Sequence, residues 1–218
     1  MTVIISMGLF PTYAQENKAP IEGEKNEAIV SFELAGQIIR YGYANESPMA
    51  LLNGAEIILS INPTDLKIVK EEKTGTPDHG KKEGKIEFDV KKILADAKQM
   101  MNGDKSLLAL ADNIEKRIGS SRGATGGASS IAATVYANSF ISWTVNFVGG
   151  VRACVAVVGD GDTDLDLYIY DQNGNLIAKD DGYSDSCIVE WYPKWTGSFL
   201  IKVVNRGSVY NTFGIATN

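Results

Sequence analysis

Five aspartates fall within the thirteen residues GDGDTDLDLYIYD, Gly159 to Asp171: Asp160, Asp162, Asp164, Asp166 and Asp171. Asp180, Asp181 and Asp185 follow in KDDGYSDS. Like charges this close repel at neutral pH, so something must offset them. Crowded carboxylates can ligate a hard cation, and Ca2+ suits flexible Asp loops because it accepts about six to eight oxygens in irregular geometry. They can instead accept backbone N–H bonds and close turns. A third use is paired acid–base catalysis, which needs one carboxyl held in apolar surroundings; solvated Gly-rich loops do not provide that. Asp160-x-Asp162-x-Asp164 copies the start of an EF-hand loop, but Leu165 stands where that loop needs Gly and a strand begins there, which excludes it. Two expectations remain. One is a different calcium site, drawn from Asp160, Asp162, Asp164 and Asp166 with Asp180, Asp181 and Asp185. The other is a set of turn-closing aspartates, with Arg152 and Arg206 as surface partners.

Other chemistry is sparse. Trp191, Tyr192 and Trp195 cluster around Pro193. Exposed, they would form a ligand-binding face for sugar rings or peptide; buried, they would plug the end of a sheet structure. Cys154 and Cys187 are the only cysteines, neither in a CxxC, and His79 is the only histidine, so a zinc site is not expected. In an exported chain such a pair is expected to form a disulfide; in its absence the two are buried thiols. The chain holds no HExxH, no GxSxG and no Cys–His pair that would mark a hydrolase.

The elements that carry these residues change period part-way along the chain. Before residue 119 the apolar spacing is helical. NEAIVSFELAGQIIRYGYA places Val30, Leu34, Ile38 and Tyr41 on one stripe, expected to face a core. Ser47-Pro48 opens a second helix with Leu51, Ala55, Ile58 and Leu59 inward, closed by Asn62-Pro63. Asp89 and Asp104 cap two more, with Ile93, Leu94, Ala97 and Met101, and Leu107, Leu110, Ala111, Ile114 and Ile118, on their inner faces. Lys70 to Lys85, KEEKTGTPDHGKKEGK, shows no period and is expected to be a solvated insert carrying His79. SSRGATGGASS, 120–130, is expected to be a mobile linker.

Beyond the linker the period is two. SFISWTVNF, VRACVAVV, LDLYIYD, LIAKD, CIVEW, SFLIKVVN and YNTFGIAT follow at intervals of roughly ten residues, with Asn173-Gly174 as a hairpin signal. In LDLYIYD the alternation sends Leu165, Leu167 and Ile169 inward and Asp166, Tyr168 and Tyr170 outward. The fold class expected is α+β in two segregated parts: a small helical domain over 24–119 and an antiparallel, jelly-roll-like β-sandwich over 131–218.

The order DTDLDLYIYDQNGNLIAKDD, WYPKWTGSFLIKVVN, YNTFGIATN resembles the bacterial pre-peptidase C-terminal domain family. The residues that carry the resemblance are Asp164, Asp166 and Leu167, then Asn173 and Gly174, then Trp191, Pro193, Gly197 and Phe199, over residues 139–218. The resemblance implies a β-sandwich accessory to secreted enzymes, with calcium in some collagenase-type members. No peptidase signature precedes it here. The helical half resembles uncharacterised exported bacterial proteins that end in the same way.

MTVIISMGLFPTYAQ reads as a short secretory leader over 1–14, with an apolar run and a small residue before polar Gln15, although no Lys or Arg precedes the run. Net charge is −6, so no basic footprint for nucleic acid exists, and no stretch is apolar for the length of a transmembrane helix. The expected function is non-catalytic: a periplasmic or secreted binding or accessory protein contacting protein or polysaccharide. The alternatives are a secreted hydrolase with a site between the two parts, and a structural envelope protein with no small ligand.

Overall fold

The computed structural model describes residues 26–61, 64–76, 87–118 and 129–218. The leader, the insert from 77 to 86 with His79, the Asn62-Pro63 stop and the linker from 119 to 128 lie outside the described residues.

Among the described residues four helices form, each opened by a polar cap. They are α1 (Glu27–Ala44), α2 (Pro48–Ser60), α3 (Val90–Met100) and α4 (Lys105–Arg117). The side chains of Asn26, Ser47, Asp89 and Asp104 accept from backbone N–H groups of the first turns that the helices cannot otherwise satisfy. A core of Ala35, Ile39, Leu51, Leu52, Ile93, Leu94 and Ala111 holds them together.

Ten strands among the described residues form two five-stranded sheets. Sheet A has the order β1 (Thr64–Asp65), β3 (Ser129–Val135), β10 (Asn211–Thr217), β5 (Ala153–Val158), β8 (Ser186–Trp191). Sheet B has the order β2 (Ile68–Lys73), β4 (Phe140–Phe147), β9 (Gly197–Asn205), β6 (Leu165–Asp171), β7 (Leu176–Asp180). Pairing is antiparallel except between β1 and β3, which run parallel. The facing layers bury Trp143, Val155, Val157, Leu167, Phe199, Ile201 and Phe213 between them. The α+β class with a C-terminal sandwich is therefore as expected, and all seven strands read from period two are present.

Three local expectations are corrected. Residues 70–73, placed in a solvated insert, belong to β2 at the edge of sheet B. Glu71 there accepts the buried Trp143 indole N–H at 2.9 Å, which the lone sequence run of charge concealed. The α1 stripe is inverted: Val30, Leu34 and Tyr41 are exposed, while Ile29, Phe32, Ala35, Gly36 and Ile39 are buried. On α4, Leu110, expected on the inner face, is exposed, while Ala111 and Ile114 are buried.

The inversion of α1 follows from what it covers. The outer face of sheet A is made of small or apolar side chains, Cys154, Ala156 and Val158 on β5 and Ala216 on β10, and Ile29, Phe32 and Phe88 pack on it. Contact is close because two glycines permit it. A Cβ at Gly36 would fall 2.5 Å from Val158 Cγ1, and one at Gly214 2.9 Å from Phe32 Cζ. Burying Ile29 and Phe32 there contributes about 1.5–3 kcal/mol each. The seam between the helices and the sandwich is thus a filled apolar contact among the described residues.

Candidate functional site

The acidic loops come together, and the carboxylates of Asp160, Asp164, Asp166, Asp171, Asp180, Asp181 and Asp185 are each committed separately, while Asp162 is exposed. Asp160 is buried and accepts from Thr212 N at 2.5 Å and from Asp162 N at 3.4 Å. Asp164 accepts from Ser184 N at 3.0 Å and so ties the loop before β6 to the loop before β8. Asp166 accepts from Arg206 Nε at 2.6 Å and from the Tyr168 hydroxyl at 3.0 Å. Asp171 closes the hairpin, accepting from Asn173 N and Asn175 N at 2.9 Å each, with Gly174 at φ +81°. Asp180 accepts from Ile188 N at 3.0 Å and from Gly182 N at 3.4 Å. Asp181 pairs with Lys179 at 2.6 Å, and its carboxyl is lowered by that hydrogen bond. Asp185 accepts from Gly161 N and from Arg40 Nη1 on α1, the latter at 2.5 Å.

The expected calcium ligands therefore do not converge. Among the described residues no group of three or more His, Cys, Asp and Glu side chains is placed to hold a metal ion. The oxygens of Asp160, Asp164, Asp166, Asp180, Asp181 and Asp185 accept instead from backbone N–H groups, Arg206, Lys179 and Arg40. The charges that sequence distance hid, Arg40 above all, offset the repulsion. Arg206 is a partner of the cluster as expected, whereas Arg152 pairs with Glu190.

The aromatic cluster is not a platform either. Trp191 is 2% exposed and packs edge-on against Phe147, ring centroids 4.8 Å apart, and against Phe199 at 5.7 Å. Tyr192 and Trp195 are half-buried. Trp195 lies over the β4–β5 turn so closely that a Cβ at Gly149 would fall 2.6 Å from its backbone. Trp191 is thus core, and the three residues do not present one exposed ligand-binding face.

Cys154 and Cys187 are both buried free thiols. Cys154 pairs across with Glu190 and Cys187 with Val157, so strand alternation puts them on opposite faces of sheet A. Cys154 lies under the helices and Cys187 in the sandwich core. The expected disulfide cannot close through the sheet. Burial pushes the Cys154 thiol up to about 12 and raises that of Cys187 as well.

The outer face of sheet B is different from every other face of the sandwich. Cross-strand register lines up Ser142, Lys202, Tyr168 and Lys179 in one row and Thr144, Leu200, Tyr170 and Leu176 in the next. Tyr168 and Tyr170 stack with centroids 6.4 Å apart and 27° between planes. Lys202 Nζ sits 4.0 Å from the centre of the Phe140 ring. Two open grooves, about 510 and 620 Å3, meet at Tyr170 and Lys202, which line both. Arg206 donates to the Tyr168 hydroxyl at 3.1 Å, fixing that ring. Of these residues the sequence reading placed Tyr168 and Tyr170 outward but gave them no role; Lys202 and Phe140 were missed. The signal available was the alternation Leu200, Lys202, Val204 in β9, which leaves half-buried side chains facing solvent.

No protein-family model and no curated protein matches the chain. Solved structures are similar over less than half of this chain. PliG of Aeromonas hydrophila, a periplasmic inhibitor of g-type lysozyme, is 14% identical over 44% of this chain and 90% of its own, with TM-score 0.35. The pre-peptidase C-terminal domain of a Bacillus anthracis collagenase is 12% identical over 41% and 88%, with TM-score 0.32. A carbohydrate-binding module of Cellvibrio mixtus lichenase 5A, solved with cellotriose, is 15% identical over 43% and 79%, with TM-score 0.26. No described helix is long and apolar enough to cross a membrane.

Proposed function

We propose that this chain is an exported, non-catalytic binding module that contacts polysaccharide or protein outside the cytoplasm through the outer face of sheet B. One observation carries the reading. Helix α1 covers the outer face of sheet A, whereas the matching face of sheet B carries Tyr168, Tyr170, Leu200 and Lys202 in two joined grooves. Half-buried aromatic and aliphatic side chains among hydroxyls suit a ligand with apolar faces and polar edges. Export rests on the leader pattern in MTVIISMGLFPTYAQ. A hydrolytic site between the two parts gains no support, because the seam is filled by Ile29, Phe32, Phe88 and Val158. The test is affinity electrophoresis of the full chain through gels carrying neutral or acidic polysaccharides, with release of reducing ends measured in parallel. Retardation that Tyr170→Ala removes and Tyr41→Ala spares, without cleavage, is the expected result. Cleavage of any of these polymers, or retardation indifferent to Tyr170, would overturn the proposal.

A further inference from the structure

The ligand class can be narrowed, on the reading that the outer face of sheet B is the binding surface. We infer that this face takes a polysaccharide bearing carboxylates, with Lys202 as its central anchor. Three observations lead there.

The first concerns backbone. Strands β4, β9 and β6 are paired on both sides, so their N–H and C=O groups are spent within the sheet. A peptide lying on the face would find no main-chain partners there, and strand addition requires an edge. A glycan requires none. Its ring C–H faces lie on aromatic and aliphatic side chains, and its hydroxyls bond to side chains such as Thr144, Ser198 and Gln172.

The second concerns shape. The grooves run along β9 from Ser198 at one end to Arg206 at the other, a span of about 27 Å for an extended strand. A span of that length accommodates several consecutive residues of a polymer.

The third concerns charge. The chain as a whole is −6, and the face carries Lys202, Lys179, Arg206 and Lys70 together with Asp166, Asp171 and Glu72; Asp171 is spent on the hairpin N–H groups and Glu72 lies 3.9 Å from Lys70. Arg206 is engaged by Asp166 and Lys179 by Asp181. Lys202 pairs with no carboxylate among the described residues, and its ammonium rests on the Phe140 ring. A cation held over an aromatic ring at the meeting point of two grooves complements an anionic group on the ligand.

The probe is polygalacturonate, titrated into the full chain by calorimetry at low salt with EDTA present. A neutral glucan and poly-glutamate of similar length are titrated beside it. Polygalacturonate is expected to bind most tightly and to weaken as NaCl rises. Lys202→Met should weaken it roughly tenfold, and Lys202→Arg should restore most of the loss. Thermal melts of both variants show that the fold is kept. Equal binding of the neutral glucan, lost in Tyr170→Ala but unchanged in Lys202→Met, would overturn the anionic inference and leave the binding face standing. Poly-glutamate binding as well as polygalacturonate, with the same Lys202 dependence, would overturn the glycan class in favour of an acidic protein. Polygalacturonate binding unaffected by either variant would place the ligand elsewhere and overturn both readings. No polygalacturonate binding would also overturn the inference.

Discussion

Arg40 on α1 places Nη1 2.5 Å from Asp185 Oδ1, across 145 residues of sequence, and so ties the helical part to the acidic loops of the sandwich. Asp185 keeps only 9% of its side-chain surface, and its other oxygen accepts from Gly161 N. The guanidinium supplies the positive charge that the aspartate crowd requires.

Arg40→Met should therefore strand a nearly buried carboxylate. Breaking a fully buried pair costs about 3–5 kcal/mol. Arg40 retains 26% exposure, and solvent screens part of the loss. A cost of about 1–3 kcal/mol in urea unfolding is expected, partly recovered in the Arg40→Met, Asp185→Asn double variant. Equal stability of Arg40→Met and the wild type would show that the pair contributes nothing.

Calcium should not raise the melting temperature beyond what sodium does at equal ionic strength. Each acidic side chain for which a role is assigned above already accepts from the chain itself, as Asp164 does from Ser184 N and Asp166 from Arg206. A cation that bound only the folded state at a hundredfold excess over Kd would add about 2.7 kcal/mol, which a melt resolves easily. A rise reversed by EDTA would show that the loops rearrange to form a cation site.

The thiols predict a loss of stability at alkaline pH. Free cysteine ionises near 9.0, while burial holds the folded Cys154 thiol up to about 12 and that of Cys187 above its ordinary value too. Above pH ~9 the unfolded chain sheds these protons and the folded chain keeps them, so stability falls as pH rises from there toward the folded value. Below that window the contribution is complete. The slope is about 1.4 kcal/mol per pH unit for each thiol. Urea midpoints taken across the window should fall, and Cys154→Ala should make them fall less steeply. Both thiols should label at once in denaturant without reductant, and only slowly in the native protein.

Trp191 tests the aromatic cluster. Its ring fills the space between Phe147 and Phe199, and its Nε1 has no hydrogen-bond partner among the described residues. Trp191→Phe leaves no indole N–H to satisfy and keeps most of the packing, so it should cost less than about 3 kcal/mol, the lower end for removing a buried aromatic altogether. Ligand affinity per folded molecule should be unchanged. A selective loss of binding in a variant with wild-type stability would return Trp191 to the binding surface.

Local grammar made much of this fold legible. Ser47, Asp89 and Asp104 cap helices because an N-cap needs only its own first turn, and Leu165, Leu167 and Ile169 face inward because strand period alone dictates it. What escaped depends on distant partners. Helix α1 is apolar on two sides, so period could not say whether Phe32 or Leu34 faces the protein; the small side chains of β5 and the glycine at 214 decide it. The charged run at 70–73 hides an edge strand, whose charges are at home where one side faces water. The acidic crowd pointed to a cation, and Arg40 of the same chain fills that role from 145 residues away. Lys202 drew no notice because a lone lysine in a strand acquires meaning only beside Phe140 and Tyr168, which pairing brings to it.

The most direct test of the binding face blocks it sterically. Because Cys154 and Cys187 are buried, a cysteine introduced at Thr144 can be modified selectively with a bulky maleimide in the native protein. A cysteine at exposed Tyr41 on α1 serves as the control. Retardation by polysaccharide gels is then compared before and after labelling. Loss of retardation on labelling Thr144→Cys, with retention on labelling Tyr41→Cys, is the predicted result. Full retardation of the labelled Thr144→Cys protein would contradict the assignment of the outer face of sheet B as the binding surface.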